Sequence, residues 1–425
     1  MGTQSSFDLA NMFFVFAKNL ANMFLRERRE GRKICKSREL PSELVIEILT
    51  RLPAKSLMRF KSVSKLWSSL ICSRYFTDRC LKVSSSPLIY MRVDMLPFKN
   101  ISLSSSSPLD DTTMLSFVVD QELTIPSMEG YSVSQVFRGL MCFINGQSAK
   151  IYNTTTRQVV ALPDIEGSNI TAKDKCFMYH IGHDPVHDQY KVLCTVSTRG
   201  EGRNRSRRML ASEHWVLLLG GGDGSSRWRK ISSPCQPHLA FTQRLSINGR
   251  VYYLARVRGN RPHAVFSFNI RSEEICIVQE FEHNAFYPRF IALIEYGGRV
   301  ALLHHYDFEA VGVMDLSFMD DADIWSRKSF VLDLSQMDLL NGISLRVQGT
   351  TRNGEVILVP TNTSRNPTTG KMIVQPQRTN RFHIFLYNLQ NNHLREVEIK
   401  DTFNRYLTSI WDVIGLDDVE NLMYL

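Results

Sequence analysis

Between Leu40 and Leu81 apolar residues recur at intervals of three and four, and from about residue 113 onward the dominant interval falls to two. Leu44, Val45, Ile48 and Leu49 share one face, followed by Leu57, Phe60 and Val63 and then by Trp67, Leu70 and Ile71. This spacing predicts a compact unit of three helices. Pro41 sits where a first-turn proline is tolerated, and Pro53 separates the first helix from the second. Residues 84–112 change character, with Ser84-Ser85-Ser86-Pro87 and Ser104-Ser105-Ser106-Ser107-Pro108 flanking a strand-like run from Leu88 to Val93. Such a stretch reads as a linker or a loosely packed edge.

Turn signals beyond the linker suggest an internal repeat. Asn145-Gly146, Asn248-Gly249, Gly297-Gly298 and Asn353-Gly354 adjoin or precede apolar strands, among them Val251–Leu254, Val300–Leu303 and Val356–Val359. A further strand then carries Tyr152-Asn153, Phe268-Asn269, Met314-Asp315 or Tyr387-Asn388, and another follows it. Antiparallel meanders repeating at roughly 50 residues are the pattern of propeller blades. The long interval between Asn145 and Asn248 leaves room for one diverged blade containing Lys191–Val196 and Trp215–Leu219. The pattern predicts a mainly β chain in which a small N-terminal α module precedes an antiparallel all-β domain, an irregular β-propeller. A pair of β-sandwiches or a barrel is the alternative architecture. The predicted boundaries are an extension at 1–38, disordered or amphipathic, the helical module at 39–83, a Ser-rich linker at 84–112 and the β domain at 113–425.

At 425 residues, 43% hydrophobic and 22% charged, the chain suits one small module plus one large domain, or two to three medium domains, and its composition is that of a globular protein. The net charge of +9 gathers at Arg26–Arg38 and at the stretch Arg199–Arg208. Basic segments of this kind are usually solvated, so the balance does not indicate nucleic-acid binding. The eight cysteines contain no C-x-x-C pair and read as free thiols of a reducing compartment. Met12–Ala17 is apolar, but Lys18 and Asn19 interrupt it far short of the roughly 20 residues that span a bilayer. No membrane span is predicted.

The candidate chemistry dissolves in its context. Gly220-Gly221-Gly222-Asp223-Gly224 follows the strand Val216–Leu219, yet no helix follows to receive a phosphate, so Trp228-Arg229-Lys230-Ile231 reads as the return strand of a hairpin. His183 and His187 have the four-residue spacing of zinc ligands on a helix, which Pro185 opposes. His304 and His305 point to opposite faces of a strand. Neither a catalytic residue nor a cofactor or metal site is predicted.

The segment from Glu39 to Ile71, including Leu40-Pro41, Glu47-Ile48-Leu49, Leu52-Pro53, Phe60 and Trp67, resembles the F-box over its whole length. The resemblance implies that Leu40, Pro41, Leu44, Ile48, Leu49, Pro53 and Leu57 face a Skp-type adaptor joined to a cullin scaffold. Phe60, Val63, Trp67 and Leu70 would pack the module. Downstream, Gly139-Leu140-Met141-Cys142, Ile151-Tyr152-Asn153, Gly182-His183-Asp184-Pro185 and Gln189-Tyr190-Lys191-Val192 resemble the F-box-associated domain of the large plant F-box family. The implied role is a non-catalytic receptor that holds a target protein for ubiquitin transfer. The rival readings are an interaction protein that delivers nothing and a propeller enzyme controlled through its F-box.

Overall fold

The computed structural model describes residues 42–50, 52, 54–62, 65–71, 73, 75, 76 and 79 of the helical region. In the sheet region it describes 88–94, 101–108, 116–124, 128, 130–170, 175–198, 210–220, 227–258, 263–281, 290–306, 308–320, 324–340, 343–351, 354–360, 363–365, 372–374, 382–400 and 410–417. The extension at 1–38 and the basic stretch Arg199–Arg208 lie outside these residues.

Three helices form as the apolar spacing requires: α1 (Ser42–Thr50), α2 (Ala54–Lys61) and α3 (Lys65–Ile71). Their inward stripes close on one another through Ile46, Leu49, Leu57, Phe60, Trp67, Ile71 and Phe76. The Phe60 and Trp67 rings meet at 5.6 Å between centroids. At the C-terminal end of α1, the Thr50 hydroxyl donates to the Glu47 carbonyl at 2.9 Å.

The sheet region begins with β1 (Leu88–Asp94), β2 (Ile101–Pro108) and β3 (Ser116–Thr124). The serine-rich stretch, expected to be a linker or a loosely packed edge around a strand-like run, thus holds β1 and β2. Ladder pairing uses backbone groups, so a run of serines pairs as well as any other. Four four-stranded antiparallel sheets follow. The first holds β4 (Ser132–Phe137), β5 (Leu140–Asn145), β6 (Ser148–Asn153) and β7 (Val159–Ala161). The second holds β8 (Lys175–Asp184), β9 (Gln189–Thr198), β10 (Ser212–Leu218) and β11 (Arg229–Ile231). The third holds β12 (His238–Ile247), β13 (Arg250–Val257), β14 (His263–Asn269) and β15 (Ile275–Phe281). The fourth holds β16 (Ile291–Tyr296), β17 (Arg299–His304), β18 (Val313–Met319) and β19 (Trp325–Val331). Helix α4 (Phe308–Val311) lies between β17 and β18, and α5 (Leu334–Leu340) follows β19.

The fifth sheet is double. One half is the meander β20 (Leu345–Thr350), β21 (Glu355–Pro360), β24 (Phe382–Asn388) and β25 (His393–Lys400), with the small hairpin β22 (Thr363–Arg365) and β23 (Met372–Val374) inserted after β21. The other half joins β3, β2 and β1 to β26 (Ile410–Asp417), and the halves meet through a parallel pairing of β25 with β3. The first strands of successive sheets, β4, β8, β12, β16 and β20, neighbour one another in turn, and β26 closes the ring back to β4. These five sheets are the blades of a β-propeller, and the predicted mainly β architecture stands.

The core lies between blades. Leu193, Val216, Tyr253 and Phe266 pack between the second and third, Leu254, Val265, Leu293 and Leu302 between the third and fourth, and Leu303, Phe330, Leu358 and Phe385 between the fourth and fifth. Burying each such side chain contributes about 1.5–3 kcal/mol. Gly182 on β8 is required by this packing: a Cβ there would meet Val251 Cγ2 at 2.8 Å and collide with Ile270 Cδ1.

The turns explain the repeat and correct its register. Asn248-Gly249 and Gly297-Gly298 are two-residue turns with both φ positive, joining the first and second strands of their blades. In the first blade that position belongs to Arg138-Gly139, at φ 47° and 72°, while Asn145-Gly146 lies one turn later. Asn353 lies outside the described residues. Asn153, Asn269 and Asn388 end the third strands of their blades, each accepting two backbone N–H bonds from the following turn. Asp315 instead sits within β18 and pairs with Arg327 at 2.5 Å.

Candidate functional site

The helical module leaves part of its apolar surface open to solvent. Leu44 and Ile48 stand one turn apart on α1, 50% and 38% exposed, on a face that the module's own core leaves uncovered. Leu66 and Tyr75 are exposed as well. Leu49 and Leu57, expected on that outward surface, are 3% and 2% exposed and belong to the core. The reason is geometric: Leu49 is rotated about 100° from Ile48, which carries it under the helix. Phe60 and Trp67 are buried and Leu70 packs against them. Leu40, Pro41, Pro53 and Val63 lie outside the described residues. Arg79 ties the last described turn to α1 through Glu47 at 2.6 Å.

In the blades, connections from first to second and from third to fourth strand lie at one end and, apart from the link between β10 and β11, are short turns. Connections from second to third strand, and between blades, leave from the other end. There the chain inserts α4, α5 and the β22–β23 hairpin. Tyr306, Val311 and Leu334 are exposed on these connections at 48%, 58% and 86%. The short-turn end is instead stitched by polar contacts. His183 Nε2 meets Asp188 at 2.7 Å while its Nδ1 contacts Arg138, and Asn248 Nδ2 donates to the Gly298 carbonyl at 2.9 Å. Lys191 reaches Glu273 at 2.8 Å, and Arg229 reaches the same carboxylate at 2.5 Å.

Between the second and third blades lies a cluster that sequence reasoning missed. His214 on β10, Cys235 in the connection to β12 and His238 at the start of β12 bring their donor atoms within 4.8 Å of one another. His214 Nδ1 meets Thr195 Oγ1 at 3.3 Å, and its Nε2 lies 3.7 Å from Cys235 Sγ. His238 Nδ1 donates to the Gln236 carbonyl at 3.0 Å, which leaves Nε2 to accept from the Tyr253 hydroxyl at 3.0 Å. Burial pushes His238 down to about 4, and burial with the neighbouring His238 pushes His214 down to about 3, so both are neutral imidazoles. His180 stacks on Tyr253 at 5.0 Å, is fully buried, and finds no hydrogen-bond partner for either ring nitrogen among the described residues. Burial holds it well below the usual histidine value. The two-residue spacing between Cys235 and His238 is the local trace of the cluster in the sequence, and His214 joins them only where two blades pack together.

The pairs that spacing singled out behave differently. His183 and His187 flank the β8–β9 hairpin and each binds its own carboxylate, Asp188 and Asp184. Strands β10 and β11 pair antiparallel, while Gly221–Gly224 lie outside the described residues. Trp215 is buried, Trp325 packs against the core between the third and fourth blades, and Trp228 donates to the Pro163 carbonyl at 2.6 Å. Tyr287 lies outside the described residues. Among the described residues no disulfide joins Cys142, Cys176, Cys194, Cys235 or Cys276.

Residues 38–79 match the F-box domain, and residues 91–421 match the F-box associated beta propeller domain. An F-box/kelch-repeat protein of Arabidopsis thaliana is 54% identical over 438 residues, covering 96% of this chain and 100% of that protein. Two further Arabidopsis thaliana F-box proteins are 51% and 38% identical, covering 96% and 94% of this chain and 100% and 97% of their own lengths.

Proposed function

The chain belongs to the F-box proteins that carry an associated β-propeller domain, and from that premise we propose that it is the substrate-recognition subunit of a Skp–cullin–F-box ubiquitin ligase. The observation that carries this reading is a helical module with a closed core and an uncovered Leu44/Ile48 face, joined in one chain to a propeller. A unit of about forty residues with apolar side chains left outside its core is best completed by a partner. The Skp-type adaptor is that partner, and it links the chain to a cullin scaffold.

The propeller would hold a target protein by the end that carries the long connections, where Tyr306, Val311 and Leu334 offer apolar contact. The mechanism is proximity. Holding adaptor and target on one chain raises the effective concentration of a target lysine at the ubiquitin donor, and this chain contributes no nucleophile. The working compartment is cytoplasm or nucleus.

The test is capture of purified adaptor by the intact chain and by a Leu40→Ala, Pro41→Ala, Leu44→Ala variant whose folding is checked by circular dichroism. Binding by the intact chain alone supports the receptor role. Failure of the folded intact chain to bind sinks it.

A further inference from the structure

We propose that His214, Cys235 and His238 form a binding site for a divalent transition-metal ion of the zinc class, pinning the second blade to the third. This goes beyond the receptor reading and does not depend on it. The three donor atoms come from β10, from the connection after β11 and from β12, and lie within 4.8 Å of one another. In a tetrahedral site with bonds of about 2.0–2.3 Å, ligand atoms stand about 3.5 Å apart. The His214 Nε2 to Cys235 Sγ distance of 3.7 Å is close to that value, and with all three atoms within 4.8 Å no separation has to close by more than about 1.3 Å.

The donor set is selective. One thiolate and two imidazoles suit zinc or cobalt, whereas magnesium and calcium take oxygen ligands. The surroundings also orient the rings as metal-binding histidines require. Each ligating imidazole normally anchors its other nitrogen on an oxygen, and here both Nδ1 atoms are so anchored, on Thr195 Oγ1 and on the Gln236 carbonyl. Both Nε2 lone pairs are thereby left for a ligand. Tyr253 holds one of them at 3.0 Å and would release it, with the Thr195 hydroxyl within its reach. As the Sγ–metal bond forms the S–H bond breaks, and the thiol proton passes to solvent. Three protein ligands leave a fourth position for water. His214 and His238 are 4% and 0% exposed, which keeps competing ligands away.

The intact chain, treated with chelator and dialysed, is titrated with cobalt(II) chloride. The expected result is a thiolate-to-cobalt charge-transfer band in the near ultraviolet, saturating at one ion per chain and displaced by zinc. Cys235→Ser, nearly isosteric, abolishes the band while keeping the metal-free melting curve. A folded wild-type chain that gives no band, or a folded Cys235→Ser variant that gives it undiminished, overturns the assignment. Should Cys235→Ser not fold, His214→Gln decides. A cobalt affinity weakened at least tenfold supports the site, and an unchanged affinity overturns it.

Discussion

On the proposed receptor reading, replacing Leu44 and Ile48 by alanine removes apolar surface that the free chain leaves in water, so the expected loss falls on adaptor binding rather than on folding. Full burial of the three carbons deleted from either side chain is worth about 2.4 kcal/mol, at about 0.8 kcal/mol per carbon. Only the exposed share is open to a partner, 50% for Leu44 and 38% for Ile48. That gives about 1.2 and about 0.9 kcal/mol, together about 2 kcal/mol, or roughly a 35-fold weaker dissociation constant. Leu57→Ala acts oppositely, because a side chain 2% exposed opens a cavity worth about 2–5 kcal/mol of stability. A module of this size has little more than that to lose. The assay is calorimetric titration with purified adaptor, paired with hydrogen exchange over α1 to α3. The double variant keeps wild-type protection and loses affinity, while Leu57→Ala loses both. A double variant that stays folded and binds within about twofold of wild type refutes the reasoning.

Gly182→Ala forces a methyl group against Val251 and Ile270 between the second and third blades, and a thermal melt shows about 1–3 kcal/mol lost to overpacking. Burial, then the charge of His304, lowers His305 from 6.5 to about 4. The unfolded chain therefore takes up this proton first: stability is full above 6.5 and falls by up to about 1.4 kcal/mol per pH unit toward pH 4. Denaturant titrations across that window show a flatter profile for His305→Gln. Burial alone would raise the Glu273 carboxyl, but hydrogen bonds from Lys191 and Arg229 outweigh it and hold it below 4.5. Its contribution is present above 4.5 and disappears as pH falls through the depressed value, so Glu273→Gln lowers the melting temperature at pH 7 more than at pH 3.

Sequence made the helices visible because one period of apolar residues served one enclosed core, from Ile46 to Ile71. It did not separate Leu49 from Ile48, since both satisfy a broad apolar stripe and only the positions of α2 and α3 decide which is covered. Positive φ was legible where glycine or asparagine supplied it, at Asn248-Gly249 and Gly297-Gly298, and hidden at Arg138, where a long side chain adopts the same backbone. Strand β1 was legible as the run from Leu88 to Val93, whereas β2 was obscured because Ser104–Ser107 carries no alternation to read. The imidazole and thiol cluster was illegible as a set for a different reason: His214 and His238 meet through the stacking of two blades, which no local spacing encodes.

The antiparallel pairing of β1 with β26 has a consequence for biosynthesis. Asp94 pairs with Ile410, so β1 leaves the ribosome 316 residues before its neighbour on that side exists. At about 5–20 residues per second the wait is roughly 15–60 s. Through that interval the nascent chain presents β1 as an open strand edge, a template for pairing with other chains. Chaperone demand during translation is thus set by the position of one C-terminal strand, and a premature stop before Ile410 would make that transient edge permanent.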